Sequence, residues 1–183
     1  MSDTETAHVE TIREWLTRYR EDVRLVQAAM LSDAPSPRAR YTLAGVLNYQ
    51  LRKMDLAPDW TPEIGMVDDA MVLRTGAAVF KINNLLPLPS DVEQTIERLA
   101  RDDEAVKAIL GQEQHENLFQ RVRGLVERRI HGRTPEEIVE DAAMRERFLG
   151  ELDRFLEGYR PPAIGEPAAF MRSVRSYIGA KLA

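Results

Sequence analysis

Apolar side chains recur at three- and four-residue spacing over most of the chain. Val9, Ile12, Leu16, Tyr19, Val23, Val26 and Met30 keep that alternation through the first segment, which places one apolar seam on a long helix. Such a seam serves either a coiled-coil partner or a helix laid across its own domain. Tyr19 is a poor dimer-core residue, so the second use is expected. The helix should stop near Ser32 and Asp33, because Pro35 and Pro37 cannot continue it.

The pattern then restarts several times. Ser36 followed by Pro37 reads as an N-cap with proline at the first helical position, opening a helix to about Met54 that buries Leu43, Val46, Leu47, Leu51 and Met54. Asp68 or Asp69 is expected to cap a third helix, with Met71, Val72, Val79 and Ile82 inward and Ala78 as a close-packing position. Leu85-Leu86-Pro87-Leu88-Pro89 reads as an extended connection whose leucines pack on something. Ser90 with Glu93 suggests a capping box for a fourth helix through Val92, Ile96 and Leu99, with a restart at Asp102-Asp103 toward Leu110 and Gly111.

A fifth helix is expected from about Gln114 to Ile130, burying Leu118, Val122, Leu125 and Val126 and ended by Gly132. Thr134-Pro135-Glu136-Glu137 joins an N-cap, an N1 proline and a capping-box glutamate. The helix it opens carries Ile138, Ala142, Leu149, Leu152 and Leu156 to Gly158. A last helix from Glu166 or Pro167 places Phe170, Met171, Val174, Tyr177 and Ile178 on one face. No segment alternates as a half-buried strand would. The expected class is all-α with about seven helices. A three-helix unit over residues 1–86, a proline connection at 87–89 and a four-helix region over 90–183 follow from the breaks.

One stretch departs from helix building. Met54 to Leu73 holds two prolines, a glycine and the acidic residues Asp55, Asp59, Glu63, Asp68 and Asp69, and no Lys or Arg falls between Lys53 and Arg74. Pro58 and Pro62 fix φ on both arms, Gly65 would permit a left-handed turn, and Trp60 would plug the loop onto the helices. Arg52, Lys53, Arg74 and Lys81 flank the stretch and either neutralise it by ion pairing or leave an acidic face for a basic partner.

Asp55-Leu56-Ala57-Pro58-Asp59, then Pro62, Gly65 and Asp68-Asp69, resembles the pattern of the YkvA-like family of small bacterial helical domains. The resemblance spans about residues 18–82. Lys53-Met54 stands where many members carry an apolar-proline pair, and Trp60 stands where phenylalanine is usual. Membership would imply a helical unit whose biochemical role is mostly unassigned.

Composition narrows the chemistry. The net charge is −5, with 25 basic and 30 acidic residues interspersed, so no basic stripe points to nucleic acid. The Arg121, Arg123, Arg128, Arg129 and Arg133 spot is mixed with Glu113, Glu116 and Glu127 and reads as a solvated helix face. Cysteine is absent, which removes disulfides and thiolate chemistry and fits a reducing cytoplasm. The acidic MSDTETAHVE opening is not that of a secretory leader, and no apolar run approaches bilayer length. His115-Glu116 begins like a zinc-protease helix, but Phe119 stands where the second histidine belongs. His8, His115 and His131 therefore read as surface or helix-end residues.

The function expected from these residues is a non-catalytic cytoplasmic interaction or scaffold protein with no cofactor. A protein partner or self-association would engage it through Trp60 and Glu63. The alternative is a metal-binding protein or metal-dependent enzyme, in which Asp55, Asp59, Asp68 and Asp69 converge as oxygen ligands for a divalent cation. A peripheral membrane adaptor is a third reading.

Overall fold

A helix that buries side chains on every side must be surrounded, and the chain contains one. The computed structural model describes residues 3–51, 62–84 and 86–182. Within them lie α1 (Asp3–Leu31), α2 (Pro37–Tyr49), α3 (Pro62–Asn83), α4 (Ser90–Leu110), α5 (Gln112–Gly124), a 3₁₀ turn (Leu125–Glu127), α6 (Pro135–Glu140), α7 (Ala142–Gly158) and α8 (Pro167–Leu182). Among the described residues the architecture is all-α, and no strand is present.

α3 is the surrounded helix. Ile64, Val67, Ala70, Met71, Val72, Leu73, Ala77, Val79 and Phe80 are all buried, and α1, α2, α4, α5 and α8 pack around it. Its most extensive neighbour is α4, across the proline connection, and residues before and after that connection share one continuous core. Every member of the α1 seam is buried, with Trp15 beside it, so the seam faces its own domain.

Two glycines set how closely α2 approaches its neighbours. A β-carbon on Gly76 would stand 2.5 Å from a Val46 methyl, and one on Gly45 would stand 2.7 Å from the Leu125 carbonyl oxygen. α2 therefore sits against α3 and the 3₁₀ turn at backbone distance.

Several element boundaries differ from the sequence reading. α2 ends at Tyr49, with Gln50 as its C-cap, and Met54 lies outside the described residues. α3 begins at Pro62, so Gly65 is a helical residue and not a left-handed turn. Asp68 and Asp69 lie inside the helix and cap nothing. Proline at the first helical position needs no donor, which explains the earlier start.

Pro89, not Ser90, is the N-cap of α4, and the Ser90 hydroxyl accepts from Gln94 instead of closing a capping box. α4 runs unbroken through Asp102-Asp103, whose carboxylates are turned to neighbouring helices, and Gly111 at φ 88° ends it as expected. α5 gives way to the 3₁₀ turn, and a tight reversal at His131 and Gly132 pairs Ile130 with Arg133. The Thr134 capping box forms, but Asp141 breaks the helix and caps α7 by accepting from the Ala143 and Met144 amides. Ile82 and Tyr177, expected inside, are 69% and 43% exposed.

Candidate functional site

The acidic stretch delivers two of its carboxylates into the interior. Asp68 is buried, and its Oδ2 accepts the Tyr49 hydroxyl at 3.1 Å, tying α3 to α2. Asp69 is 5% exposed on the side of Tyr159. Burial, followed by the Asp69 charge, raises the pKa of the Tyr159 hydroxyl well above its ordinary value. That hydroxyl donates to the Leu16 carbonyl at 2.6 Å, while the Tyr159 ring leans on Tyr19, which donates to Gln50. Consecutive helical residues point about 100° apart, and Asp68 meets Tyr49 while the Asp69 charge acts on Tyr159.

Glu63 is exposed on the first turn of α3. Asp55, Asp59 and Trp60 lie outside the described residues. Among the described residues, no group of three or more acidic or histidine side chains is placed to hold a metal ion.

Of the cations expected to flank the elbow, Arg52 and Lys53 lie outside the described residues, and Arg74 and Lys81 pair with other carboxylates. Arg74 is fully buried, 3.5 Å from Asp22 and 3.5 Å from Asp102, with its guanidinium 4.3 Å from the centre of the Trp15 ring. Arg98 reaches the same Asp22 at 2.5 Å. Burial lowers Arg74 to about 10 and raises Asp22, although Arg98 and Arg74 pull the Asp22 carboxyl the other way. Lys81 pairs with Glu97 at 3.6 Å.

Two further polar groups bind helices together. Thr75 donates to Asp103 at 2.6 Å, and the other Asp103 oxygen meets His115 Nε2 at 2.9 Å, joining α3, α4 and α5. His115 is thus a half-buried partner of Asp103, not a surface residue. Arg133 is also inside, at 2% exposure; it donates to Asn48 at 2.9 Å and Glu151 at 2.6 Å. Of the basic spot read as solvated, Arg123, Arg128 and Arg129 are exposed and Arg133 is not.

A concave site of a different kind lies where α3 hands over to α4. Phe80 and Ile96 form its buried floor, with half-buried Leu88 beside them. Leu86, 54% exposed, and Pro87 form one wall, and Lys81, Asn84, Glu93 and Glu97 complete the rim. The cavity is about 200 Å³, room for one bulky side chain. Asn84 donates to the Leu86 carbonyl at 2.9 Å and holds the connection in place. A lone exposed leucine is ordinary. This one differs because it overhangs a hollow with an apolar floor and a charged rim.

Sequence reasoning assigned Leu86 to packing and missed the hollow. Its signal was the LLPLP run itself, which holds more apolar residues than a connection needs.

Family models, curated proteins and solved structures were each compared with the chain, and none matches it. The likeness to the YkvA-like pattern therefore rests on the residues of the acidic stretch.

Proposed function

We propose that the chain is a non-catalytic, cytoplasmic helical interaction protein of the YkvA-like kind, which binds a protein partner at the α3–α4 hollow. The observation that carries this reading is Leu86 left 54% exposed above the buried Phe80 and Ile96, in a cavity rimmed by charge. An apolar anchor pocket with a polar rim is the usual form of a binding hot spot. The inward-turned polar groups support it: Asp22, Arg74, Asp103 and Arg133 fix the helices relative to one another, which makes a rigid platform.

A cation-binding function at the elbow, drawn from Asp55, Asp59, Asp68 and Asp69, is the rival reading. It would require Asp68 to give up the Tyr49 hydroxyl or share its oxygens with an ion.

The reading is tested by placing a photo-reactive phenylalanine analogue at position 81 on the rim, and at position 146 on the exposed face of α7 as control, in cells producing the protein. A discrete adduct from position 81 and none from position 146 is expected. Equal, diffuse labelling from both positions would remove the hollow as a docking site.

A further inference from the structure

We infer that the occupant of the α3–α4 hollow is a basic segment of a partner protein: one bulky apolar side chain seated on Phe80 and Ile96, flanked by lysine or arginine that meets Glu93 and Glu97. The inference rests on the docking reading above and names the chemistry of the ligand.

Charge on the rim selects the partner. Glu93 and Glu97 stand exposed on the rim, with exposed Asp91 outside it on the first turn of α4, and Lys81 is the cation of the rim. Lys81 is 3.6 Å from Glu97, and among the described residues no ion pair is formed by Asp91 or Glu93. Acidic residues in a first helical turn also complement the helix dipole, which accounts for part of their presence at Asp91 and Glu93. It does not withdraw their charge from solvent, and Glu97 lies beyond the first turn. The rim therefore offers Glu93, which forms no ion pair among the described residues, beside Glu97, whose charge the exposed Lys81 shares, next to an apolar slot.

Opposite charges at a rim raise the association rate and reject wrong partners more than they add affinity. A bulky apolar side chain entering a desolvated pocket supplies the affinity. The two demands together describe a Leu-, Ile-, Met- or Phe-sized residue with basic neighbours. The same rim disfavours a lipid surface, because anionic headgroups would meet Glu93 and Glu97 with Lys81 as the one lining cation among the described residues.

The experiment uses the full chain, isotope-labelled for amide resonances, and three capped seven-residue peptides. One has a central leucine with two lysines on each side. The second has glutamates in place of the lysines, and the third keeps the lysines but has glycine at the centre. The lysine–leucine peptide should shift the amides of Leu86, Glu93, Ile96 and Glu97. The glutamate and glycine peptides should bind about tenfold more weakly. Glu93→Lys should reverse the charge preference, and raising salt to about 1 M, where the Debye length is ~3 Å, should erase it.

Equal binding of the lysine and glutamate peptides would overturn the basic-partner inference and leave the hollow as a docking site. No binding by any peptide, with the position-81 adduct still formed, would do the same. No peptide binding and no adduct would overturn both. Stronger association with phosphatidylserine vesicles than with the lysine–leucine peptide would replace the protein segment by a lipid surface.

Discussion

The guanidinium of Arg74 lies 3.5 Å from the Asp22 carboxylate, with both side chains shut off from solvent. Arg98 and Asp102 extend the pair toward the surface of α4, and Trp15 covers the guanidinium face. Breaking a buried pair strands a charge, so Asp22→Ala should cost ~3–5 kcal/mol. Replacing both partners by apolar residues of similar volume, Asp22→Leu with Arg74→Met, should recover most of that loss. Urea unfolding of Asp22→Leu, Arg74→Met and the double variant checks this. Additive losses in the double variant would show that the two residues are not coupled.

Glycines divide by what surrounds them. Gly65 lies in α3 with nothing within 4 Å of an added β-carbon, so Gly65→Ala should stabilise by ~0.5–1 kcal/mol through helix propensity. Gly76→Ala meets a Val46 methyl and should destabilise by ~1–3 kcal/mol, with Val46→Ala restoring part of it. Gly45→Ala meets a main-chain carbonyl and should admit no such rescue. Thermal unfolding of the variants orders them. A stabilised Gly45→Ala would refute the close approach of α2 to the 3₁₀ turn.

The helices were legible where apolar spacing was regular, as in the α1 seam, and where caps were explicit, as at Ser36 and Thr134. The acidic stretch was misread from Pro62 onward because its composition resembles a loop. Pro62 starts a helix there, and buried partners such as Tyr49, far away in sequence, hold carboxylates that spacing alone assigned to caps. Asp22 was readable in principle: it follows Trp15 and Tyr19 and precedes Val26 at seam spacing, a charge in a core register. Arg133 and His115 were not, because each acquires its partner only when distant helices meet.

Glu151 gives the pH dependence a sign. Its hydrogen bond from Arg133 Nη2, at 2.6 Å, holds the carboxyl below its ordinary value of 4.5. The unfolded chain then takes up this proton first as pH falls. The contribution is present in full above pH 4.5 and is lost on acidification through the lowered folded value. Glu151 is partly exposed, so Glu151→Gln should cost only ~1 kcal/mol at neutral pH. The difference from the parent should shrink as pH falls below 4.5 and close once the pH is below the lowered folded value. A difference that persists there would mean that packing, and not the ion pair, was lost.

Asp68 is expected to act as a structural acceptor. Asp68→Ala leaves the Tyr49 hydroxyl without this partner and should destabilise by ~1–3 kcal/mol. Millimolar magnesium, calcium or manganese should leave the melting temperature of the parent unchanged. A cation held at the elbow would instead add ~2.7 kcal/mol at a hundredfold excess over its dissociation constant. A metal-dependent rise abolished by both Asp68→Asn and Asp59→Asn would establish the cation site.

The most direct test of docking at the α3–α4 hollow is the yield of the position-81 photo-adduct in two variants that each convert an exposed apolar residue to aspartate. Leu86→Asp alters the wall of the hollow, and Tyr177→Asp alters α8. Both residues are substantially exposed, so neither variant should unfold the protein, which circular dichroism confirms in parallel. Loss of the adduct in Leu86→Asp, with an undiminished adduct in Tyr177→Asp, is the expected result. An adduct of parental yield in Leu86→Asp would contradict the hollow as the binding face.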